Sequence, residues 1–571
     1  MLSLLFPQSV YPETNEERRS YLQGLKNLSE TTIHDLGLDT VIKSLSNKET
    51  ETGFILRTMQ RMSPDPYTTK YRCDIFEDIL NNKDIRTNLM EILDKIDFLK
   101  DYGSFKKEYD ESSGIWDLLH RLEEINDYIK CVDSLYECLD ENKLHSEGLL
   151  SLKKYVNELY NDNAFGELKK DIKELKATTT SLRSITVGIN LNDRFEAESI
   201  GVVSVNDKKF TKSNIIGNFL DKISTTDNIN KGNEWKKDFH YEPFDVKPGL
   251  GAEEAGKFAL AMNHPLIAAG MAHVPDKDQT QDIPRYMERV TNHMLALTAK
   301  KLKEILSKYV SITITDITNL IPEFIYYIRW AEFIEKKREG GHVFCKAEVL
   351  LNDEKHCMDA KGIYNLKLLD IESDTIVTND LTFSDENCVY ILTGANRGGK
   401  TTITQAIGQL FVLAQGGIFI PGKEFKFSPA DVVYTHFPAD EDKTLDLGRL
   451  GEECSRFKTM FTDCGEKSLL LLNETFSTTS FEEGYYIARD SVRAIIAKGI
   501  RTIYNTHMHK LPEEIDEMNE ASDKYKAKSL IVETDGSERS FRVKIAPPVG
   551  KSFARDIAVK YGVTYEDLML N

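Results

Sequence analysis

Apolar residues recur at two spacings along this chain, and the change between them divides it. In the first ~110 residues they fall in short groups, Ile75, Phe76 and Ile79, then Leu89, Ile92, Leu93 and Ile96, the steps of short amphipathic helices. A longer stretch carries Ile115, Leu118, Leu122, Ile125, Ile129, Val132 and Leu139, and a second carries Tyr155, Val156, Leu159, Leu168, Ile172 and Leu175. The period then drops to two. Ile185, Val187, Ile189 and Leu191 alternate with small or polar residues, and Ile200-Gly201-Val202-Val203 follows as a pairing partner, so a small β insertion is expected near 185–210. Helical spacing returns after Asp282, with Pro284 in the first turn, and another helix is expected from Ile317 to Phe333.

Past about residue 345 strand-like runs alternate with glycine-rich turns and helices, at Cys388–Thr393, Ser468–Leu472 and Arg501–Asn505. Alternation of this kind indicates a parallel α/β layer. The expected organisation is a helical core over 1–112, a helical lever over 113–345 that carries the β insertion and returns to the core, and an α/β domain over 346–571.

Composition narrows the function without naming it. Of 571 residues, 40% are apolar and 29% charged, which suits a globular chain with ample core material. Lys plus Arg number 73 against 92 Asp plus Glu, a net charge of −19. That balance opposes indiscriminate binding to DNA or anionic membranes. Apolar runs are far shorter than a bilayer requires, so no membrane partner is expected. The apolar start MLSLLFPQSV has no preceding Lys or Arg and is broken by Pro7, a poor signal peptide. Eight cysteines without a CxxC pair fit free thiols in a reducing cytoplasm.

The sharpest chemical feature is Gly394-Ala395-Asn396-Arg397-Gly398-Gly399-Lys400-Thr401, which follows the strand run Val389–Thr393 and opens a helix through Ile403, Ile407, Leu410 and Phe411. Strand, loop and helix in this order form a phosphate loop. Glycines let backbone N–H groups point inward at a β-phosphate, and the helix N-terminus adds partial positive charge. Lys400 would reach the β- and γ-phosphates and Thr401 would offer its hydroxyl to Mg²⁺. Gly251-Ala-Glu-Glu-Ala-Gly256-Lys257-Phe258 has similar spacing. There Phe258 replaces the hydroxyl and two glutamates would face the phosphates, so it is read as an ordinary loop and helix start.

The strand run Ser468–Leu472 ends in Asn473-Glu474. Glu474 can orient and polarise an attacking water. Asn473 is neutral and can bond only a metal-bound water. A third strand, from Arg501, leads to His507, placed to sense a γ-phosphate or the water. His507-x-His509 also invites a zinc reading, but no further ligand cluster accompanies it.

Together these pieces resemble the ATPase domain of the MutS family of DNA mismatch-repair proteins. The match runs over roughly residues 360–512 through LTGANRGGKTT, GGIFIPG (Gly416–Gly422), DLGRLGEEC, LLLLNETFSTTSFEEG and NTHMHKL. The resemblance implies an α/β P-loop ATPase domain preceded by a mostly α-helical core and lever. It implies that Asn396, Gly398, Gly399, Lys400 and Thr401 cradle the phosphates of ATP, with Gly394, Ala395, Arg397 and Thr402 beside them. Glu474 becomes the catalytic carboxylate and His507 the switch histidine. Thr401, Asn473 and Glu474 face Mg²⁺, partly through water. Ile376 and Val377 fall where the family packs the adenine, implying a purely aliphatic base contact. Ser477–Gly484 would couple two nucleotides across a homodimer formed by the ATPase domains.

Departures from the family pattern matter as much. Gly448 stands where a serine would reach the partner's γ-phosphate, and Asn473 replaces the usual acid. No leading G-x-F-x-E string is present, and neither a large DNA clamp nor a nuclease-like extension is expected. The chain therefore resembles a short paralogue without a mismatch reader. The function expected is a cytoplasmic, Mg²⁺-dependent ATPase whose nucleotide state moves the levers, with DNA, in branched or distorted form, as partner by family analogy. The alternative is a nucleotide-gated protein scaffold with little hydrolysis and no DNA. An ABC- or SMC-type subunit is disfavoured by the lack of membrane segments and long heptads.

Overall fold

The computed structural model describes residues 2–12, 14–90, 115–179, 184–191, 193–194, 197–206, 320–351, 356–394, 398–438, 448–535, 538–548, 559 and 561–569. The chain forms two compact units, one of Met1–Met90, Cys138–Lys154 and Asp316–Asn571, the other of Glu91–Glu137 and Tyr155–Thr315. The helix expected after Asp282 lies outside the described residues.

At the centre of the first unit is a six-stranded sheet, its strands numbered here β1 (Asn387–Thr393), β2 (Val433–His436), β3 (Leu469–Asn473), β4 (Arg501–Asn505), β5 (Lys526–Asp535) and β6 (Glu538–Ile545). Their spatial order is β2-β3-β4-β1-β5-β6. All neighbours are parallel except the closing β5–β6 pair. β3 is apolar without alternation, Leu469 to Leu472 each 0% exposed, because helices cover both faces. One face packs on Phe457, Met460, Tyr485, Val492 and Ile495 from the helices Gly448–Asp463 and Phe481–Lys498. Over the other lies the helix Lys400–Gln415, buried at every position from Ile403 onward.

That helix is covered in turn by the N-terminal helices. Gln405 donates to the Asp35 carbonyl (2.6 Å), Gln409 to that of Leu36 (2.7 Å) and Gln415 to that of Ser63 (2.8 Å). Arg72, 1% exposed, donates to the carbonyls of Leu5 (2.6 Å) and Gln415 (2.9 Å). A smaller four-stranded sheet contains the strands Met358–Ile363 and Asn379–Phe383.

The helix expected at Ile317–Phe333 runs Ile321–Glu339. Pro322 suits its first turn, and Lys336, Lys337 and Arg338 favour its C-terminal end. The amphipathic stretch through Tyr155–Leu175 forms two helices, Glu147–Tyr160 and Asn163–Thr179. The break comes where Asp162 accepts from the Ala164 N–H (3.1 Å). Tyr136 stacks on Tyr160 with centroids 3.8 Å apart, and Lys169 lies 4.4 Å over the Tyr160 ring. The β insertion is an antiparallel pair, Ser184–Leu191 with Ala197–Asn206. No helix among the described residues is long and apolar enough to cross a membrane.

Candidate functional site

In a parallel sheet the strand ends and the helix starts that follow them gather on one edge. Here β1, β3 and β4 bring three loops together beside a cavity of about 660 Å³. Gly398, Gly399, Lys400, Thr401, Thr402, Ile376, Val377, Glu474 and His507 all line it. Gly394 closes β1, while Ala395, Asn396 and Arg397 lie outside the described residues.

Gly399 is the N-cap of the helix and has φ +89°, left-handed backbone that a side chain at this position would strain. Lys400, 5% exposed, rests its ammonium on the Gly394 carbonyl at 2.9 Å. Burial pulls its pKa down, and the charge of Glu474 opposes that shift. Glu474 follows β3 with φ +53°. Its N–H donates to the Asn505 carbonyl (2.8 Å), and its Oε1 lies 2.6 Å from His507 Nε2. A carboxylate oxygen accepts, so Nε2–H donates. This hydrogen bond, against the opposing effect of burial, holds the Glu474 carboxyl below its ordinary range. Glu474 is therefore ionised at neutral pH and able to accept a hydrogen bond from water.

Asn473, 7% exposed, is not part of the lining but stands directly behind it. Its Oδ1 accepts from Thr401 Oγ1 at 3.1 Å and also from Asn505 Nδ2. Asn505 Oδ1 is buried with no hydrogen-bond partner. Thr401, Asn473 and Asn505 thus present three neutral oxygen-bearing groups and no charge. Such a set fits a magnesium ion that takes its charge complement from substrate phosphates and reaches the protein partly through water. Among the described residues no group of three or more His, Cys, Asp and Glu is placed to hold a metal, so the zinc reading of His507 and His509 finds no ligands.

The remaining walls include residues that sequence reasoning missed. Tyr364, Asn365, Leu368 and Ile371 line one side. Asn365 donates to the Thr402 carbonyl (2.8 Å), tying this wall to the helix start. Phe541 enters from β6. Register slips between Val532 and Thr534 on β5, and opposite the slip Phe541 has φ +57°, so the ring leaves the strand's alternation. Asn379 fixes this bulge, its Oδ1 accepting from the Val543 N–H (2.8 Å) and its Nδ2 donating to the Phe541 carbonyl (3.2 Å). The cavity that Ile376 and Val377 line is thus walled by aromatic as well as aliphatic side chains.

Comparison with known proteins bears on the same regions. Residues 390–563 match the family model described as MutS domain V, and residues 64–336 match the MutS2 N-terminal domain. This chain belongs to the MutS family. Over 177 residues it is 32% identical to a DNA mismatch repair protein MutS of Acetivibrio thermocellus, covering 31% of this chain and 20% of that protein. An Endonuclease MutS2 of Caldicellulosiruptor bescii is 28% identical over 220 residues, 37% of this chain and 27% of the relative. A DNA mismatch repair protein MutS 2 of Halobacterium salinarum is 31% identical over 146 residues, 25% of this chain and 17% of the relative. The matched stretches span about a quarter or less of these MutS relatives, and domain V contains the cavity's Lys400, Glu474, His507 and Phe541.

Proposed function

We propose that this MutS-family chain is a Mg²⁺-dependent ATPase of P-loop type that couples nucleotide state to movement of its helical region, with DNA as partner. The observation that carries the reading is convergence. Lys400, Thr401, Glu474 and His507, drawn from three separate loops, face one cavity of about 660 Å³, within the range that holds a nucleotide.

The chemistry follows from the groups present. Lys400 exchanges its contact with the Gly394 carbonyl for β- and γ-phosphate oxygens, neutralising charge that builds on the transferred group. Backbone N–H groups at the start of the helix bind the same phosphates. Glu474, kept ionised by His507, orients the attacking water and accepts its hydrogen bond. Ile376, Val377 and Phe541 cover the base. Thr401, with Asn473 and Asn505 behind it, would hold Mg²⁺, which would supply further neutralisation of phosphate charge. Homodimerisation through the ATPase domains and action on DNA rest on membership of the family, and the net charge of −19 confines any DNA contact to a local basic surface or an enclosing shape.

A second reading, a nucleotide-gated scaffold, has one specific observation in its favour. Asn473 is neutral and already satisfied by Thr401 and Asn505, which weakens the pull on the metal. Steady-state phosphate release separates the two. Wild type should turn over, Lys400→Ala should abolish turnover, and Glu474→Gln should reduce it by about a hundredfold or more. Wild type indistinguishable from Glu474→Gln at saturating Mg-ATP eliminates the ATPase and favours the scaffold.

A further inference from the structure

Two backbone oddities flank one residue beside the site. Glu474 has φ +53° and Phe476 φ +64°, and neither is glycine. Left-handed backbone at side-chain-bearing residues costs energy and persists only where the surroundings impose it. Between them, Thr475 is 1% exposed. Its carbonyl accepts from Tyr504 Oη at 2.9 Å, and its hydroxyl lies 3.0 Å from His436 Nδ1.

His436 ends β2, in register with Leu472 of β3, one strand over from the site. It is 2% exposed, and its other ring nitrogen, Nε2, lies 3.3 Å from the Glu453 carbonyl on the helix Gly448–Asp463. A carbonyl can only accept, so Nε2 carries hydrogen. Burial pushes the His436 pKa down to about 4, which keeps the ring neutral. Nδ1 is then an acceptor facing the Thr475 hydroxyl, whose single proton is shared between Nδ1 at 3.0 Å and the His436 backbone carbonyl at 3.2 Å. The same helix grips the turn at two more points. Thr478 Oγ1 donates to the Glu453 carboxylate (2.8 Å), and Phe457 packs edge-on against Phe476 with centroids 5.4 Å apart.

We infer that His436 and Thr475 are positioning residues that link the helix Gly448–Asp463 to Glu474, holding its strained turn in the geometry that aims the carboxylate into the cavity. This inference rests on the proposed role of Glu474 in hydrolysis. Neither residue lines the cavity, so each acts through the backbone of the turn. A shift of the helix moves the Glu453 carbonyl and carboxylate together, and the turn carries that shift to Glu474 while leaving the phosphate loop in place. Hydrolysis, rather than nucleotide binding, is what the link controls.

The test is a kcat against KM comparison with Mg-ATP, alongside fluorescent ADP binding. Thr475→Val removes the hydroxyl and keeps the shape. It lowers kcat about tenfold or more, with KM and ADP affinity within about twofold of wild type. Thr475→Ser restores kcat. His436→Asn retains an acceptor near Thr475 and loses the reach to Glu453, and it lowers kcat similarly. Since Thr475→Val already removes both hydroxyl contacts to His436, the ring and the backbone carbonyl, the double variant is no worse than Thr475→Val alone. Should Thr475→Val not fold, His436→Asn, set beside Thr475→Ser, carries the comparison. Wild-type kcat in Thr475→Val, with Glu474→Gln inactive, overturns the link and leaves the ATPase reading intact. A fall in kcat matched by weaker ADP binding also overturns it, because a general loosening of the site would do that. Wild type no faster than Glu474→Gln removes the ATPase reading and the link together.

Discussion

Replacing Phe541 by alanine isolates the wall of the cavity that comes from the far edge of the sheet. The side chain is 46% exposed, so close to half of it is available for a ligand to cover. Taking ~200 Å² for a phenylalanine side chain gives on the order of 90 Å² of apolar surface. At ~25 cal/mol per Å² that is about 2 kcal/mol, or roughly 30-fold in Kd, as an upper bound for complete coverage. A base that covers only part of the ring still gives about threefold. Titration of a fluorescent ATP analogue measures the change, with tripolyphosphate as a competitor that lacks a base. Phe541→Ala should weaken nucleotide binding by about 3- to 30-fold and leave tripolyphosphate competition unchanged. The ring also lies close to the phosphate loop, its Cδ1 3.4 Å from where a β-carbon on Gly399 would sit. If its main effect is to obstruct the loop mouth, the truncation will tighten nucleotide and tripolyphosphate alike. Tighter or unchanged nucleotide binding therefore refutes the assignment of Phe541 to the base.

Three further outcomes follow from the geometry. His507→Ala removes the hydrogen bond that most lowers the Glu474 pKa, so the carboxylate must reprotonate at higher pH. The acid limb of the pH–kcat profile should move upward, and an unmoved limb would contradict the pairing. Asn473→Asp places negative charge where Thr401 and Asn505 already donate, and the Mg²⁺ concentration for half-maximal nucleotide binding should fall about threefold or more, read by titration at fixed nucleotide. Gly417→Ala has no room, since the new β-carbon would come 2.4 Å from Arg72 Cβ and the backbone has φ +85°. It should cost about 2–4 kcal/mol and lower the thermal midpoint by several degrees, and a midpoint within about one degree of wild type would count against the tight packing of Arg72.

The parts of this protein that could be read from its sequence are those built on local patterns. Glycine spacing, a preceding apolar run and a following helical period all lie within some twenty residues of Lys400, and the structure places Lys400, Glu474 and His507 on one cavity. Phe541 was hidden because it depends on a register slip in an edge pair, where the alternation that marks a strand is broken. The strained turn at Glu474 and Phe476 was hidden too, since positive φ has no signature without glycine. The packing of the N-terminal helices was concealed for a different reason. Gln405, Gln409 and Gln415 look like solvent-facing positions of an amphipathic helix, yet all are buried and each donates to a carbonyl of the N-terminal region. A buried amide is stable only if its hydrogen bonds are made, and these partners lie more than 350 residues away in sequence. The helix that begins at Lys400 is therefore held along its length by the first helices of the chain. A displacement of that helix by nucleotide would act directly on the carbonyls of Asp35, Leu36 and Ser63, a route from phosphate to helical core that no local motif could reveal.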